Sequence, residues 1–223
     1  MERYAPHKAE RRDEGFDKKM VTILAVYRVV MISSEEKVEA RKKITVSYDD
    51  KPGIQAMKNI SAQLLPLPGK YAGIGRDYEY KRLGTVTLMA ARDLHTGIII
   101  PMVKDRHRSA EFIEFLKPLD NKYALEWIIR IVLDNHGAHK SKETLKYLKT
   151  KPGRFEMVFT PTHGSWLNMI EMLFSKIARG FLRDIRVQTK KELIDRIYLG
   201  IEELNKEPVI FKWKYKMDEI QTV

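Results

Sequence analysis

Three acidic residues, far apart in the sequence, each lie at the end of a predicted strand or near the start of a predicted helix. Asp134 directly follows the β-branched, apolar run Ile128–Leu133, which is typical of a strand buried on both faces. Asp49 lies at the end of another β-rich run, and Glu171 lies in an amphipathic segment that follows the strand after Asp134. Carboxylates that converge repel one another unless a hard divalent cation binds between them. The pattern therefore predicts a Mg²⁺ or Mn²⁺ site formed by Asp49, Asp134 and Glu171.

Four residues close to these acids are predicted to line the same site. Asn135 and His136 follow the second acid, and Trp166 and Asn168 precede the third. With Ser165 as the predicted N-cap of a helix, Asn168 shares a helix face with that third acid. Asn168 then either orients the acid or a metal-bound water, or only solvates the start of the helix. Trp166 is either a core residue or a platform for a base.

Two neighbouring features offer other ligands. Asp50 follows Asp49, but adjacent strand residues point to opposite faces, so only one of the two is expected in the site. His136 and His139 form an HxxH pattern that suggests zinc. Zinc would need further nitrogen or sulfur ligands, whereas the chain has no cysteine and its other histidines are scattered. An oxygen-ligated magnesium or manganese ion is therefore favoured.

Hydrophobic periodicity predicts the elements that must position these residues. Strands are predicted at residues 43–50, 83–91, 97–103, 128–133 and 155–160, and helices at 16–31, 109–116, 141–149, from Ser165 onward and at 189–204. The Pro- and Gly-rich residues 51–82 are predicted to form an excursion over the surface. Three antiparallel strands followed by alternating helices and strands are the order of a ribonuclease H-like fold. The predicted class is α/β, a ribonuclease H-like mixed sheet flanked by helices.

The chain is strongly basic, with a formal net charge of +11. Such a surplus attracts polyanions through its electric field and through counterion release, so nucleic acid is the expected partner. The residues predicted to contact DNA phosphates are Lys51, Lys104, Arg106, Arg108, Lys176 and Arg179. The cluster of cations after the third strand is the strongest part of this set, whereas Lys176 and Arg179 are almost as well explained as solvated charges.

Length and composition favour one substantial core with a small appendage. Residues 1–42 are predicted to be an N-terminal tail and connecting helix, residues 43–206 the ribonuclease H-like catalytic domain, and residues 207–223 a C-terminal tail. No apolar run is long enough for a bilayer span, and the N-terminus lacks the apolar centre of a signal peptide. We therefore expect a cytoplasmic protein with no membrane partner.

Several sequence blocks, in order, resemble the catalytic domain of bacterial DDE transposases. The blocks read SYDDKPGIQAM, VKDRHRSAEFIEFLK, IVLDNHGAHKSKETL and FTPTHGSWLNMIEMLFSKIAR. They are most similar to the insertion-sequence-630 branch of the mariner superfamily, and the likeness covers the chain from about residue 16 to the C-terminus. Between Asp134 and Glu171 lie 36 residues, close to the spacing typical of that superfamily.

The resemblance implies a specific chemistry. Asp49, Asp134 and Glu171 would be the catalytic, metal-binding triad, with two ions of Mg²⁺ or Mn²⁺ bridged by Asp49. Water would cleave the DNA strand, and the freed 3′-hydroxyl would then attack target DNA. Double-stranded DNA, as transposon ends and target, and a second copy of the chain in a homodimer are the implied partners. The family has Glu after its first Asp, where this chain has Asp50, and it carries an N-terminal helix-turn-helix module that residues 1–15 are too few to form.

Two other functions remain open from the residues alone. A ribonuclease H or junction resolvase would share the fold and the acids but act on a different substrate. A non-catalytic DNA-binding remnant of a transposase would keep the basic surface without activity.

Overall fold

The computed structural model describes residues 15–35, 43–61, 64, 66–70, 72–73, 79–162, 164 and 167–210. Its strands are β1 (Lys43–Asn59), β2 (Tyr80–Asp93), β3 (Ile99–Lys104), β4 (Ile128–Leu133) and β5 (Phe155–Phe159). Its helices are α1 (Phe16–Glu35), α2 (Ser109–Lys122), α3 (Lys142–Lys149), α4 (Ile170–Gly180) and α5 (Lys190–Lys206), with a 3₁₀ turn at Gly137–Lys140. None of the helices within these residues has the length and apolar character needed to cross a membrane.

The strands form one mixed sheet in the order β3-β2-β1-β4-β5. β1, β2 and β3 are antiparallel neighbours, whereas β4 runs parallel to both β1 and β5. A parallel pair needs a crossover connection, and α2 and α3 supply the two that lead into β4 and β5. The predicted ribonuclease H-like mixed sheet flanked by helices is confirmed.

Helices cover both faces of the sheet, because successive strand residues point to opposite sides. In β2, Leu88 and Ala90 pack in one cluster with α4 and α5, and Met89 and Ala91 pack in another with α2. α1 packs through Ile23 and its neighbours against β4 and the segment before α4. The predicted apolar stripe of α1 is thus buried on the same core as the sheet.

β1 is longer than predicted. Instead of ending at Asp50 it continues to Asn59, so the predicted excursion over residues 51–82 begins only after the strand. Its pairing with β2 shifts register between Lys51 and Ile54, where Pro52 lacks a backbone donor and Gly53 adopts a φ of 71°. The two turn-forming residues therefore make a bulge within a strand, which sequence patterns read as an end.

Two helix boundaries also differ from the predictions. α2 continues through Pro118 to Lys122, because Leu119 and Asp120 in its last turn are buried and hold it on the core. α4 begins at Ile170 rather than at Ser165. Ser165 itself lies outside the described residues, so its predicted capping role stays a prediction.

Arg154, in the turn before β5, is a buried hub between α2 and the sheet. Its side chain is only 6% exposed, and its Nε donates to the Asp120 carboxylate at 2.7 Å. Its two terminal nitrogens donate to the backbone carbonyls of Asp120, Tyr123, Ala124 and Trp127 at 2.6–2.7 Å. One guanidinium thus donates hydrogen bonds both to carbonyl groups at the end of α2 and to carbonyl groups in the segment leading into β4.

Arg154→Met is expected to destabilise the fold by about 3–5 kcal/mol, because it leaves a buried carboxylate and several carbonyls without their donor. Urea unfolding followed by circular dichroism measures the loss. The matched control is Lys151→Met, which removes the half-exposed partner of the same Asp120 carboxylate at 2.9 Å. That change should cost at most about 1 kcal/mol. Equal unfolding midpoints for Arg154→Met and wild type would contradict the hub role.

Candidate active site

Sheet register places two of the predicted acids side by side. β1 and β4 are parallel neighbours, and Ser47 of β1 is opposite Val132 of β4. Two residues further along each strand lie Asp49 and Asp134, so the same register brings them to the same level on adjacent strands. Asp134 lies just beyond the carboxyl end of β4, the edge at which open α/β sheets bind ligands.

The third acid arrives on α4, of which Glu171 is the second residue. Asn168 lies before the helix, so the predicted shared helix face is wrong, because the helix starts later than Ser165. The backbone carbonyl of Asn168 instead accepts from the Glu171 N–H at 3.2 Å, in the turn that leads into α4. Asn168 is 1% exposed, which makes it a buried connector rather than a solvated helix start.

A small hydrogen-bond network fixes the start of α4 on β1. The Asn168 amide donates to the Tyr48 carbonyl at 2.9 Å and to the Asp49 carboxylate at 3.3 Å. The Ser47 hydroxyl donates to the Asn168 side-chain oxygen and accepts from the Ile170 N–H at 3.2 Å. The element that carries the third acid is therefore held on the strand that carries the first.

Asp49 has an unfavourable electrostatic environment for its charge. Burial, together with the neighbouring carboxylates of Asp134, Asp50 and Glu171, raises the pKa of Asp49 to about 7, although a hydrogen bond from the Asp50 N–H acts in the opposite direction. That backbone donor lies 2.8 Å from the Asp49 carboxylate. All three predicted acids are thus close enough to interact, and a cation among them would relieve the repulsion.

Asp134 has the opposite environment. Burial opposes its charge, but hydrogen bonds from the His139 ring and the His136 N–H outweigh it and hold the pKa of Asp134 below its ordinary value. The His139 Nδ1 lies 3.1 Å from the carboxylate, and the ring is buried against Tyr48 and Phe112. Two neighbouring carboxylates whose pKa values are pushed apart are a common feature of catalytic sites.

Two of the predicted site-lining residues, Asn135 and His136, make local contacts at the ends of the strands. His136 binds Asp134 through its backbone N–H at 3.1 Å, and its exposed ring stacks beside His107. The Asn135 amide donates to the Thr160 carbonyl, so it ties the end of β4 to the end of β5. Trp166 lies outside the described residues, and its role stays a prediction.

The predicted DNA-contact loop after β3 lies at the rim of an open cleft of about 550 Å³, which Arg106 and Arg108 line. Arg108 pairs with Glu111 at 2.8 Å, and Lys104 pairs with Glu114 at 2.5 Å. Both cations are thus paired with carboxylates of α2 in this structure. Arg106 is exposed and free to reach a ligand in the cleft.

The other residues predicted to contact DNA lie on two different elements, β1 and α4. Lys51 is half-buried on β1, immediately after the acids. Lys176 and Arg179 are exposed on α4. Lys176 lines a separate, mostly apolar groove with Arg92 and Val209, and the Nε of Arg179 donates to the carbonyl of Ser175. The predicted role of these three residues in DNA binding therefore stays a prediction.

Two residues that support the acids were missed at the level of sequence. Ser47 precedes Asp49 by two positions, so strand alternation places it on the same face, and a hydroxyl in an apolar run was the available signal. His139 was considered only as a zinc ligand. Its spacing from Asp134 allows a ring to turn back onto the carboxylate, but only packing against Tyr48 and Phe112 fixes that direction.

The family match decides what kind of protein this is. The model of the DDE superfamily endonuclease family matches residues 49–194, which is well over half of the chain. The chain belongs to the DDE superfamily endonucleases. The matched range includes Asp49, Asp134 and Glu171.

Other proteins resemble this chain in sequence or in fold. An insertion element IS630 uncharacterized 39 kDa protein from Shigella sonnei is 26% identical over 167 residues, which are 73% of this chain and 46% of that protein. The chain therefore spans about half the length of this curated relative. The mariner Mos1 paired end complex with Mg is similar with a TM-score of 0.56 at 13% identity, over 94% of this chain and 60% of that one. The corresponding Mos1 complex with Mn gives 0.54 at 14% identity, over 92% and 63%.

The raised pKa of Asp49 predicts how the stability of this DDE domain depends on pH. The folded chain holds the Asp49 proton up to about pH 7, whereas the ordinary value is 3.8, so stability of the metal-free protein should fall as pH rises through that window. Asp49→Asn should remove the part of this decline that Asp49 causes and be more stable than wild type at pH 8 by about 2–4 kcal/mol. Urea unfolding in chelator at pH 5 and pH 8 measures both effects.

Asp134→Asn is the matched control, because the lowered pKa of Asp134 means that its charge is stabilised in the fold. This variant should be no more stable than wild type at pH 8. The same gain in stability from both substitutions would contradict the assignment of a raised pKa to Asp49 and a lowered pKa to Asp134.

Proposed function

We propose that this chain is the catalytic domain of a DNA transposase, which cleaves DNA at transposon ends and joins the freed ends to target DNA. The observation that supports it best is the arrangement of the acids. Asp49 and Asp134 lie on adjacent parallel strands, and the helix that carries Glu171 is bonded to β1 through Ser47 and Asn168. In a member of the DDE superfamily, these three residues are the proposed catalytic triad.

A divalent cation, Mg²⁺ or Mn²⁺, is the proposed cofactor, and the donor set fits it. The triad offers only carboxylate oxygens, which such hard cations prefer, and the raised pKa of Asp49 indicates that positive charge would be favourable there. Mos1 complexes with Mg and with Mn are known. When bound, two such ions supply activation of an attacking oxygen and stabilisation of the leaving oxygen at phosphorus. The number of ions is part of the proposal.

The residues of the chain have distinct roles in this proposal. Asp49, Asp134 and Glu171 would together hold the cations that act on the reacting phosphate. Asn168 and Ser47 keep Glu171 in register with Asp49, and His139 keeps Asp134 ionised and oriented. These positioning residues reduce the reorganisation needed at the moment of reaction.

Double-stranded DNA is the proposed substrate, and the basic balance of the chain supports it. The net charge is +11, and Arg106 and Arg108 line the cleft beside the site together with His107 and His136. Structures of the similar Mos1 transposase carry the descriptions paired-end complex and left transposon end. Pairing of two ends would require a second copy of the chain, so an active homodimer belongs to the proposal.

Glu171→Gln and Asp134→Asn should each reduce metal-dependent nicking of supercoiled DNA at least about 1,000-fold, equal to about 4 kcal/mol of transition-state stabilisation. Each change removes one charged ligand and keeps the shape of the side chain. DNA binding in chelator should change by less than about threefold, because phosphate contacts carry the affinity. Gel assays of nicking and fluorescence anisotropy of labelled duplexes measure the two quantities.

The control for these variants is Glu202→Gln on the exposed side of α5, which should nick like wild type. Full activity in Glu171→Gln or Asp134→Asn would remove the triad assignment. Cleavage of the RNA strand in a hybrid without cleavage of DNA would favour a ribonuclease H instead. Binding without nicking by wild type in Mg²⁺ and Mn²⁺ would favour a non-catalytic remnant.

DNA binding by this chain should weaken steeply with salt and show little sequence preference. Contacts to about four to six phosphates predict a loss of roughly 100- to 1,000-fold between 50 and 200 mM salt. Arg106→Gln should lower the slope of log K against log salt by about 1, whereas Lys191→Gln, which removes a cation paired with Asp195 on α5, should not. A salt-insensitive affinity, or an unchanged slope in Arg106→Gln, would contradict the assigned phosphate contact.

A further inference from the structure

A second group of ligand-bearing side chains lies on the other side of β1 from Asp49. Asp50 comes from β1, His107 from the segment between β3 and α2, and His136 from the segment after β4. Their ligand atoms all lie within 4.8 Å of one another, and this is the closest such trio of histidines and carboxylates in the part of the chain that the structure describes. The carboxylates of the proposed triad do not all lie within that distance of one another.

The geometry within this group is close. The Asp50 Oδ2 and the His107 Nδ1 are 2.9 Å apart, and the centroids of the two imidazole rings are 5.2 Å apart. The His107 Nδ1 is buried, yet among the described residues it makes no hydrogen bond of acceptable angle. A polar nitrogen placed against a carboxylate without a hydrogen bond is available to a different partner.

The HxxH pattern of the sequence pointed to the wrong second histidine. His139 turns inward to the Asp134 carboxylate at 3.1 Å, so it does not join His136 as a ligand. The His136 ring lies near both, with centroid distances of 5.5 Å to His139 and 5.2 Å to His107, but the histidine that shares a ligand group with it is His107, 29 positions earlier in the sequence. No local spacing connects these two residues, and only the fold brings them together.

The donor types distinguish this group from the all-carboxylate triad. Two imidazoles and one carboxylate are the ligands that zinc and neighbouring transition-metal ions use, often with a fourth position open to water. Mg²⁺, by contrast, prefers oxygen donors and binds imidazole poorly. The two groups should therefore select different cations, although Asp49 and Asp50 are adjacent in the chain.

We propose that Asp50, His107 and His136 form a binding site for a zinc-class divalent cation, separate from the proposed Asp49, Asp134 and Glu171 site. The site has a fixed donor and two adjustable ones. Asp50 is 11% exposed on a strand, whereas the His107 side chain is 36% exposed and His136 is exposed. Donors around one tetrahedral zinc lie roughly 3.3 Å apart, so the exposed rings turn inward on binding while the strand stays in place.

Occupation of this site would join β1, the segment between β3 and α2 and the segment after β4 through one cation. His107 belongs to the loop that carries Arg106 and Arg108, and His136 follows the strand that carries Asp134. A cation bound by both histidines would fix that basic loop beside the proposed catalytic edge. The expected consequence is a zinc-dependent increase in thermal stability that requires both rings.

Calorimetric titration of the chelator-treated full chain with Zn²⁺, in the absence of DNA, tests the site. His107→Ala and His136→Ala should each weaken Zn²⁺ binding at least tenfold and should abolish the rise in melting temperature. His95→Gln, which changes a histidine in the turn between β2 and β3, should bind Zn²⁺ like wild type. Glu171→Gln should also retain the histidine-dependent binding, since it alters only the proposed triad.

Unchanged Zn²⁺ affinity in both histidine variants would overturn the proposal, as would loss of that affinity in Glu171→Gln alone. His107→Gln, which keeps the volume of the side chain, replaces His107→Ala if circular dichroism shows the alanine variant to be unfolded. X-ray absorption of the wild-type chain with one equivalent of Zn²⁺ gives an answer that needs no variant. Two imidazole ligands are expected there, and a spectrum without imidazole would overturn the proposal. None of these measurements depends on DNA cleavage, so their outcome is separate from that of the proposed function.

Discussion

Repulsion between partly buried carboxylates is the constraint on which the proposed catalytic edge of this domain depends. This repulsion acts on Asp49, because burial and the charges of Asp134, Asp50 and Glu171 all raise its pKa. The fold offsets part of the cost with one backbone N–H and the Asn168 amide. The His139 ring, which contacts the Asp134 carboxylate, stabilises the negative charge of Asp134. The remaining imbalance favours a bound cation, which links the electrostatics of the fold to the chemistry expected of its family.

The supporting structure explains how such an unfavourable group of charges can be held in place. β1 is the central strand of the sheet; β2 pairs with it along most of its length, and β4 pairs with its first part, residues 43–47. The start of α4 is bonded to β1 through Ser47 and Asn168, both fully buried. Arg154 fixes α2 to the chain entering β4, so the strand that ends in Asp134 is also anchored at its start. Rigid elements on every side keep the acids from moving apart.

Adjacent residues of one strand give the domain two chemically different groups of donors. Asp49 faces the Asn168 side of β1 and belongs with carboxylates, whereas Asp50 faces the side of α2 and belongs with His107 and His136. The difference follows from strand alternation, which turns neighbouring side chains to opposite faces. One peptide segment can therefore serve a hard-cation site and a nitrogen-rich site without mixing their ligands.

Much of this was present in the sequence. Periodicity and β-branched runs predicted the five strands and their order, because burial of a strand or a helix face imposes a local pattern of residue types. The positions of Asp49, Asp134 and Glu171 at the ends of such elements, together with the ordered blocks of motif, predicted the fold and the family. Those features are local or depend only on the order of elements, so a single sequence can carry them.

Only the tertiary structure decided which side chains meet. Pro52 and Gly53 look like the end of a strand, yet pairing with β2 carries β1 through them as a bulge. His136 stacks beside His107, 29 positions earlier, as well as lying beside His139, and Ser47 reaches Asn168, which lies 121 positions away. Periodicity tells which face a residue occupies, but the partner on that face depends on sheet register and on where each connecting segment returns. These are properties of the packed molecule, in which distant residues compete for the same contacts.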